Sequence, residues 1–154
     1  MSLTAKEIMT TAIISVDREQ TLQEALTLMA KHNISGLPVT GADGKIAGII
    51  SNTDIINYAQ KVNIVPLFDP SGWVSPHAPI ENLTAVRQGI DFLAKTTVNR
   101  LMKKKVYTAR EETTMLEIAR LMSRHQINRV PIVDEAHRPV GIVTRNDLVQ
   151  SIAR

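Results

Sequence analysis

The segment HNISGLPVT at residues 32–40 returns as HQINRVPIV at residues 125–133. An offset of 93 positions aligns the two segments, and the match extends in both directions without a gap. Residues that are identical at this offset include the pairs Met9 and Met102, His32 and His125, Pro38 and Pro131, Gly48 and Gly141, and Asp54 and Asp147. Chance does not keep proline, glycine and aspartate in register over such a length, so the chain contains two copies of one structural unit.

The two copies cover residues 5–60 and 98–153, and residues 61–97 form a connector. The first part of the connector is rich in proline and contains the single tryptophan, Trp73, which predicts a rigid, irregular loop. Trp73 either covers a hydrophobic patch or stacks on a ligand base. Apolar residues at helical spacing then predict a helix over residues 81–95.

Each copy has the same predicted order of elements, β-α-β-β-α, which places the chain in the mixed α/β (α+β) class. A threonine followed three residues later by glutamate predicts a capping box at the start of the first helix, in residues 21–24 and again in residues 114–117. The predicted strands are residues 12–15, 37–40 and 46–50 in the first copy and residues 106–108, 130–133 and 140–143 in the second. One copy has too few strands to bury both faces of its sheet, so we expect the two copies to pack together.

The composition excludes several classes of site. The 154 residues include no cysteine, which excludes disulfides, thiolate metal sites and cysteine nucleophiles. No apolar run is long enough to span a membrane and the N-terminal residues lack the pattern of a signal peptide, so we expect a cytoplasmic protein without membrane contact. The histidines and carboxylates form no metal-binding or nucleophile motif. We therefore expect no enzyme activity, no catalytic residue, no metal and no required cofactor.

The formal net charge is +3, and the basic residues are scattered except for Lys103–Lys105. Such a run is typical of a solvated loop, or it supplies positive potential beside an anionic ligand. A nucleic-acid binder usually concentrates basic residues on one face, so weak nucleic-acid binding is only an alternative here. His32 and His125 are predicted to end the first helices, where a cation is favoured.

Two further motifs lie where the last strand of each copy is predicted to become its second helix. They are Ser51 with Asp54, and Thr144 with Asp147. As capping boxes they would serve only helix stability, by about 1 kcal/mol each. As ligand sites they would offer a helix N-terminus to a phosphate and a carboxylate to two vicinal ribose hydroxyls. The two interpretations are compatible.

These motifs and the repeated segments resemble a tandem pair of cystathionine β-synthase (CBS) domains, an arrangement called a Bateman module. The resemblance is carried by residues 32–39 and 48–54 and by their copies, residues 125–132 and 141–147. It implies two units in pseudo-twofold symmetry, with packed sheets and two clefts that bind AMP, ADP, ATP or S-adenosylmethionine. It also implies a homodimer and a regulatory role.

By the family pattern, each cleft draws on both copies. In the first cleft Ser51 and Asp54 would face two segments of the second copy, Val106-Tyr107-Thr108 and Asn128-Arg129-Val130. In the second cleft Thr144 and Asp147 would face two segments of the first copy, Ala12-Ile13-Ile14-Ser15 and Ser35-Gly36-Leu37. Flat apolar walls with exposed backbone groups suit an adenine ring.

The two predicted clefts differ in charge. Arg129 and Lys105 belong to the first, and an arginine offers a forked match to phosphate oxygens. The second has Gly36 in place of Arg129, with Arg145 and Lys45 as its weaker cations. We therefore expect phosphorylated ligands to prefer the first cleft. The alternative for Arg129 is a surface residue with a buried stem.

The predicted function is a module that senses an adenosyl ligand and passes a change in the relative angle of its copies to an unknown downstream protein. The alternative is a structural or interaction module in which the aspartates only cap helices. We expect a homodimer through the first helices, since Ala25 and Ala119 permit a close approach of helices there.

Overall fold

A computed structural model describes residues 2–61 and 83–154 and has a mixed α/β architecture with two repeated units. The helices are α1 (Ala5–Ile8), α2 (Leu22–His32), α3 (Asn52–Lys61), α4 (Leu83–Lys95), α5 (Val98–Leu101), α6 (Met115–His125) and α7 (Arg145–Ile152). The strands are β1 (Val16–Asp17), β2 (Gly36–Thr40), β3 (Ile46–Ser51), β4 (Arg129–Val133) and β5 (Pro139–Thr144). Helix α4 confirms the helix predicted in the connector, whereas Trp73 lies outside the described residues.

The chain forms two compact units that cut across the two sequence copies. The first-repeat unit consists of residues 15–40 and 47–104, and the second-repeat unit consists of residues 1–14, 41–46 and 105–154. Helix α1 begins the first copy but packs on α6 and α7, whereas α5 begins the second copy but packs on α3. The copies have therefore exchanged equivalent segments, and neither compact unit is a continuous piece of chain.

The sheet of the first-repeat unit has β2 between β1 and β3. Strand β1 runs parallel to β2, with Val16 beside Val39. At the β3 edge Lys103 and Ile49 exchange two backbone hydrogen bonds, with N–O distances of 2.9 and 3.0 Å. The largest fully buried side chains of this unit are Leu22, Met29, Leu37, Ile50 and Ile55.

The second-repeat unit has β4 and β5 in an antiparallel pair, with Val130 opposite Val143. At the β5 edge Thr10 and Ile142 exchange two backbone hydrogen bonds of 2.9 and 3.0 Å. The offset of 93 residues relates Thr10 to Lys103, so these two residues occupy equivalent positions at the edges of the two sheets. The core here includes Ile118, Met122, Val130, Ile132, Val143 and Leu148.

The prediction of first strands at residues 12–15 and 106–108 is wrong. Pairing begins at Val16 in the first copy, and in the second a single bridge from Ala109 to Ile132 replaces the strand. Val16 and Ala109 are buried, whereas Ala12 is exposed. A strand depends on its partner as much as on its own sequence, and here the partner strands are engaged only from these buried residues onward.

Both capping boxes predicted at the first helices are confirmed. The backbone N–H of Glu24 donates to Thr21 Oγ1 at 3.2 Å, and the N–H of Thr21 donates to Glu24 Oε2 at 2.8 Å. Thr114 and Glu117 repeat the pattern at 3.3 and 2.9 Å. Each box satisfies backbone donors that the first turn of a helix leaves open, which is why α2 and α6 begin where they do.

The capping box of α6 predicts a pH-dependent stability. Hydrogen bonds from the backbone N–H and the hydroxyl of Thr114 lower the pKa of Glu117 below its ordinary value. A carboxyl group whose pKa is lowered by folding stabilises the protein above its unfolded-state pKa, and this contribution is lost as the pH falls through the lowered value. Glu117→Gln is therefore expected to lower the melting temperature at neutral pH and to have a smaller effect near about pH 3.

Thermal unfolding of wild type and Glu117→Gln at both pH values measures this difference. Glu112→Gln is the control, because Glu112 is an exposed carboxylate outside the box. An effect of Glu117→Gln that is the same in acid and at neutral pH would show that the charge of Glu117 does not contribute.

Two glycines lie directly under the exchanged segments. A Cβ atom added at Gly48 would lie 2.6 Å from Sδ of Met102 and 2.8 Å from the carbonyl oxygen of Lys103. A Cβ atom at Gly141 would lie 2.9 Å from Cγ of Met9 and closer still to its Sδ. These positions need glycine because another part of the chain crosses close to the strand.

Candidate ligand-binding site

Strand β3 ends at Ser51, and Asp54 lies in the first turn of α3. The backbone N–H of Asp54 donates to Ser51 Oγ at 3.2 Å, and the N–H of Ser51 donates to Asp54 Oδ2 at 3.0 Å. These bonds confirm the capping interpretation of this motif. They engage Oδ2 of the carboxylate and leave Oδ1 to other partners.

Thr144 and Asp147 repeat this arrangement between β5 and α7. The N–H and the hydroxyl of Thr144 donate to Asp147 Oδ2 at 2.7 and 2.8 Å, and the N–H of Asp147 donates to Thr144 Oγ1 at 3.3 Å. Within residues 2–61 and 83–154, no hydrogen bond or ion pair engages Oδ1 of Asp147. In both motifs one carboxylate oxygen, Oδ2, caps the helix, and the other, Oδ1, takes no part in the cap.

The two aspartates differ in their charged neighbours. Nζ of Lys103 lies 3.6 Å from Oδ1 of Asp54, and the side chains of Lys103 and Asp54 are 70% and 14% exposed. In the second-repeat unit the position equivalent to Lys103 is taken by Thr10, which has no charge. Asp54 therefore has a cation beside its second oxygen, whereas no such ion pair involves Asp147 among the described residues.

The contact between Lys103 and Asp54 was not predicted. The sequence shows a basic run at residues 103–105, and the predicted phosphate ligand in that run was Lys105. Only the backbone pairing of Lys103 with Ile49 shows that Lys103 lies beside the strand that leads to Asp54. One related signal was present in the sequence. The repeat offset aligns Lys103 with Thr10, so it shows that the two copies differ in charge at this position.

Tyr107, a predicted ligand contact, stacks on His125 within the second-repeat unit. The ring centroids lie 3.6 Å apart at an interplanar angle of 16°, and Nζ of Lys105 lies 5.6 Å from the centre of the Tyr107 ring. His125 ends α6 as predicted, but its contact with Tyr107 was not predicted. One face of Tyr107 is therefore occupied by a protein side chain.

The residues just before β2 and β4 form backbone hydrogen bonds with the first residues of α3 and α7. The N–H of Asn52 donates to the carbonyl of Ser35, and the N–H of Arg145 donates to the carbonyl of Asn128, both at 2.9 Å. The structure thereby brings residues 35–37 close to the α3 N-terminus and residues 128–130 close to the α7 N-terminus. Gly36, Leu37 and Val130 are buried, whereas Ser35 and Asn128 are exposed.

The remaining predicted site residues divide between the two units. Ser51 and Asp54 belong to the first-repeat unit, together with residues 35–37. Thr144 and Asp147 belong to the second-repeat unit, together with the other predicted contacts, which are residues 12–14, 105–108, 128–130 and 145. The clefts expected from the family pattern combine residues of both units, and this combination stays a prediction.

The predicted cations have different surroundings. Arg129 is half-buried at the start of β4, and Lys105 is exposed. Arg145 is exposed in the first turn of α7, two positions before Asp147. Side chains two positions apart in a helix do not face each other, so Arg145 is not the counterpart of Lys103.

The described ranges, 2–61 and 83–154, contain no group of three or more histidine, aspartate or glutamate side chains that could hold a metal ion. In the same ranges no helix has both the length and the apolar character needed to cross a bilayer. None of the 154 residues is a cysteine.

Comparison with known proteins agrees with the duplicated architecture. The CBS domain family matches residues 5–61 and 98–154. An uncharacterized protein of Methanocaldococcus jannaschii is 32% identical in an alignment that covers 96% of this chain and 89% of that protein.

Solved structures of CBS domains have the same fold. The CBS domain of a CBS domain-containing membrane protein from Sphaerobacter thermophilus matches with a TM-score of 0.74 and 28% identity, over 97% of this chain and 87% of that one. The CBS domain pair of protein MJ0100, in complex with 5′-methylthioadenosine and S-adenosyl-L-methionine, matches with a TM-score of 0.73 and 27% identity, over 99% and 98% of the chains. Family match, repeat and fold agree, and the chain belongs to the CBS domain family.

Proposed function

We propose that the chain is a regulatory, non-catalytic module that binds an adenosyl ligand, either an adenine nucleotide or S-adenosylmethionine, at its two acidic helix N-termini. The observation that carries this proposal is that Oδ2 of each carboxylate caps the helix whereas Oδ1 takes no part in the cap. An acidic side chain accepts hydrogen bonds from ribose hydroxyls in other nucleotide-binding folds, and a helix N-terminus is a favourable site for a phosphate. The adenosyl ligands of the MJ0100 domain pair support this choice of ligand class.

In the proposed site Asp54 and Asp147 bind ribose, and Ser51 and Thr144 fix the orientation of these carboxylates. The proposed adenine contacts, taken from the family pattern, are Ala12, Ile13, Ile14, Ser35, Gly36, Leu37, Val106, Tyr107, Thr108, Asn128 and Val130. The proposed phosphate ligands are Arg129, Lys105 and Arg145. A ligand that binds one arrangement of the module more tightly shifts the population toward it, and a downstream protein reads the shift.

Isothermal titration with AMP, ADP, ATP, S-adenosylmethionine and NAD tests the proposal. We expect binding of at least one of these ligands by the wild-type protein. Asp54→Asn and Asp147→Asn keep the size of the side chain but remove the charge, and charge-assisted hydrogen bonds are about twice as strong as neutral ones. Each substitution is therefore expected to weaken binding at its own site by about tenfold.

Glu24→Gln and Glu117→Gln are matched controls, because they neutralise the same kind of capping box at the first helices, outside the proposed sites. If the affinity loss came only from a weakened helix cap, these controls would show it too. Unchanged affinity in both aspartate variants, with only a lower melting temperature, would identify a structural module instead. No heat with any ligand would also refute the proposal.

We also propose that the chain forms a homodimer through α6 and α7. Leu116, Val149 and Ile152 are 53%, 58% and 74% exposed, and the last two lie three residues apart on one face of α7. Monomeric proteins seldom leave apolar side chains clustered in this way. The same face on a second copy would cover them around a twofold axis.

The first-repeat unit shows what covers the equivalent face there. Helix α4 packs on α2, and its Phe92 stacks on Tyr58 of α3 with ring centroids 5.4 Å apart. Ala59, the counterpart of Ile152, is fully buried in this unit. Among the described residues no helix of the second-repeat unit plays the role of α4, so α7 keeps an apolar face that a second chain would bury.

A further inference from the structure

We propose that residue 103 and its counterpart, residue 10, set how strongly each acidic site favours a ligand that carries phosphate. Lys103 makes the Asp54 site selective for adenosyl ligands that carry phosphate. Thr10 gives the Asp147 site no such lysine, so we expect this site to discriminate less between ligands with and without phosphate. This inference rests on the proposed function, since it assumes that both aspartates bind ribose.

Two sets of contacts fix the backbone around Lys103, one made by Lys103 itself and one by its neighbour Met102. Its N–H and carbonyl both bond to Ile49 of β3, at 2.9 and 3.0 Å. The preceding residue, Met102, is buried against Gly48. The lysine Cα position is therefore set by the sheet, and the side chain extends from there to Oδ1 of Asp54 at 3.6 Å.

A bare carboxylate that binds ribose repels a phosphate on the same nucleotide, because the two negative charges lie only a few ångströms apart. A lysine beside the carboxylate removes this repulsion and adds an attraction to the phosphate. Lys103 suits this role because its compact charge sits on a flexible stem and its side chain is 70% exposed. The lysine side chain can turn from Asp54 toward a bound anion while the Lys103 backbone stays paired with Ile49.

The Asp147 site has no lysine at the equivalent sheet-edge position. Thr10 holds the same backbone position against Ile142, with the same pair of hydrogen bonds, but its side chain is neutral. Arg129 lies opposite Thr144 in the β4–β5 pair and Arg145 begins α7, but neither residue occupies the sheet-edge position that Lys103 has in the first-repeat unit. Thr10 therefore adds no attraction for a phosphate at the Asp147 site, and we expect ligand charge to matter less there.

An exchange of the two residues tests this inference. Lys103→Thr and Thr10→Lys place at each site the residue that the other repeat carries, and Lys104→Thr removes an equally exposed lysine one position along. The ion pair of Lys103 is mostly solvent-exposed, so its loss has little effect on folding. The probes are ADP and 5′-methylthioadenosine, which share adenine and the 2′- and 3′-hydroxyls of ribose and differ in the 5′ substituent, a diphosphate or an uncharged methylthio group.

Lys103→Thr is measured in an Asp147→Asn background and Thr10→Lys in an Asp54→Asn background, so that one intact site is titrated at a time. We expect Lys103→Thr to weaken ADP about tenfold or more while 5′-methylthioadenosine changes less than about threefold. We expect Thr10→Lys to strengthen ADP by a similar factor, and Lys104→Thr to change neither ligand.

Equal effects on both ligands, or tighter ADP binding by Lys103→Thr, would overturn the inference, because Lys103 would then be a bystander or would block the carboxylate. Both results leave the proposed function intact, since the wild-type protein still binds adenosyl ligands. Absence of binding by either probe to the wild-type protein would instead refute the proposed function, and the inference with it.

Discussion

Replacing Gly48 with alanine is expected to lower the free energy of unfolding by about 2–3 kcal/mol. The added Cβ would lie 2.6 Å from Sδ of Met102 and 2.8 Å from the carbonyl oxygen of Lys103. The methionine side chain can rotate away, but hydrogen bonds to Ile49 hold the carbonyl in place. The exchanged segment must therefore shift away from β3, and equilibrium unfolding in urea measures the loss of stability.

Gly141→Ala is the matched comparison, because the close contacts there come from the side chain of Met9 alone. The far end of this side chain is flexible, so we expect a smaller loss, of about 1 kcal/mol. Double-mutant cycles separate the two cases. Met9→Ala should relieve most of the cost of Gly141→Ala, whereas Met102→Ala should relieve little of the cost of Gly48→Ala. If the two glycine substitutions lowered the free energy of unfolding equally, and the two methionine substitutions restored it equally, the contact with the Lys103 carbonyl would have no special effect.

Val149→Glu is expected to convert the proposed homodimer into a monomer, with an increase of about a hundredfold or more in the dimer dissociation constant. The side chain of Val149 is 58% exposed in the single chain and lies on the apolar face of α7. A twofold interface places two copies of the new charge in one buried region, and unpaired buried charges cost several kcal/mol each. Analytical ultracentrifugation over a range of protein concentrations measures the change.

Gln150→Glu is the control for Val149→Glu, because it adds the same charge to the next residue of α7, off the face formed by Val149 and Ile152. It should leave the dissociation constant nearly unchanged. A wild-type protein that stays monomeric at high concentration, or a Val149→Glu variant that dimerises as the wild type does, would rule out this face as the interface.

Much of the architecture could be predicted from the sequence because it depends on residues that are close together in the chain. The capping boxes at Thr21 and Thr114 begin α2 and α6, and both depend on a contact across three residues. The same applies to Ser51 with Asp54 and to the hairpin of the second copy. The repeat offset then transfers each local assignment from one copy to the other.

The first strands show where such reasoning fails. Residues 12–15 and 106–108 have apolar side chains that suit a strand, but the sheet pairs with Val16 and Ala109 instead. Strand propensity does not say at which residue a distant partner begins to pair. The same limit hid the exchange of α1 and α5, since nothing local shows which unit a short helix joins.

The sequence by itself determined that this chain is a duplicated pair of units, each with a helix, two strands and a second helix that begins with an acidic motif. Each of these elements is encoded by neighbouring residues, and the repeat offset shows the duplication. Only the tertiary structure decided that Lys103, rather than Lys105, meets Asp54, and that Thr10 takes its place in the other unit. It also decided why glycine is needed at positions 48 and 141. The physical reason is that these contacts join segments far apart in the chain, and sheet pairing alone brings such segments together.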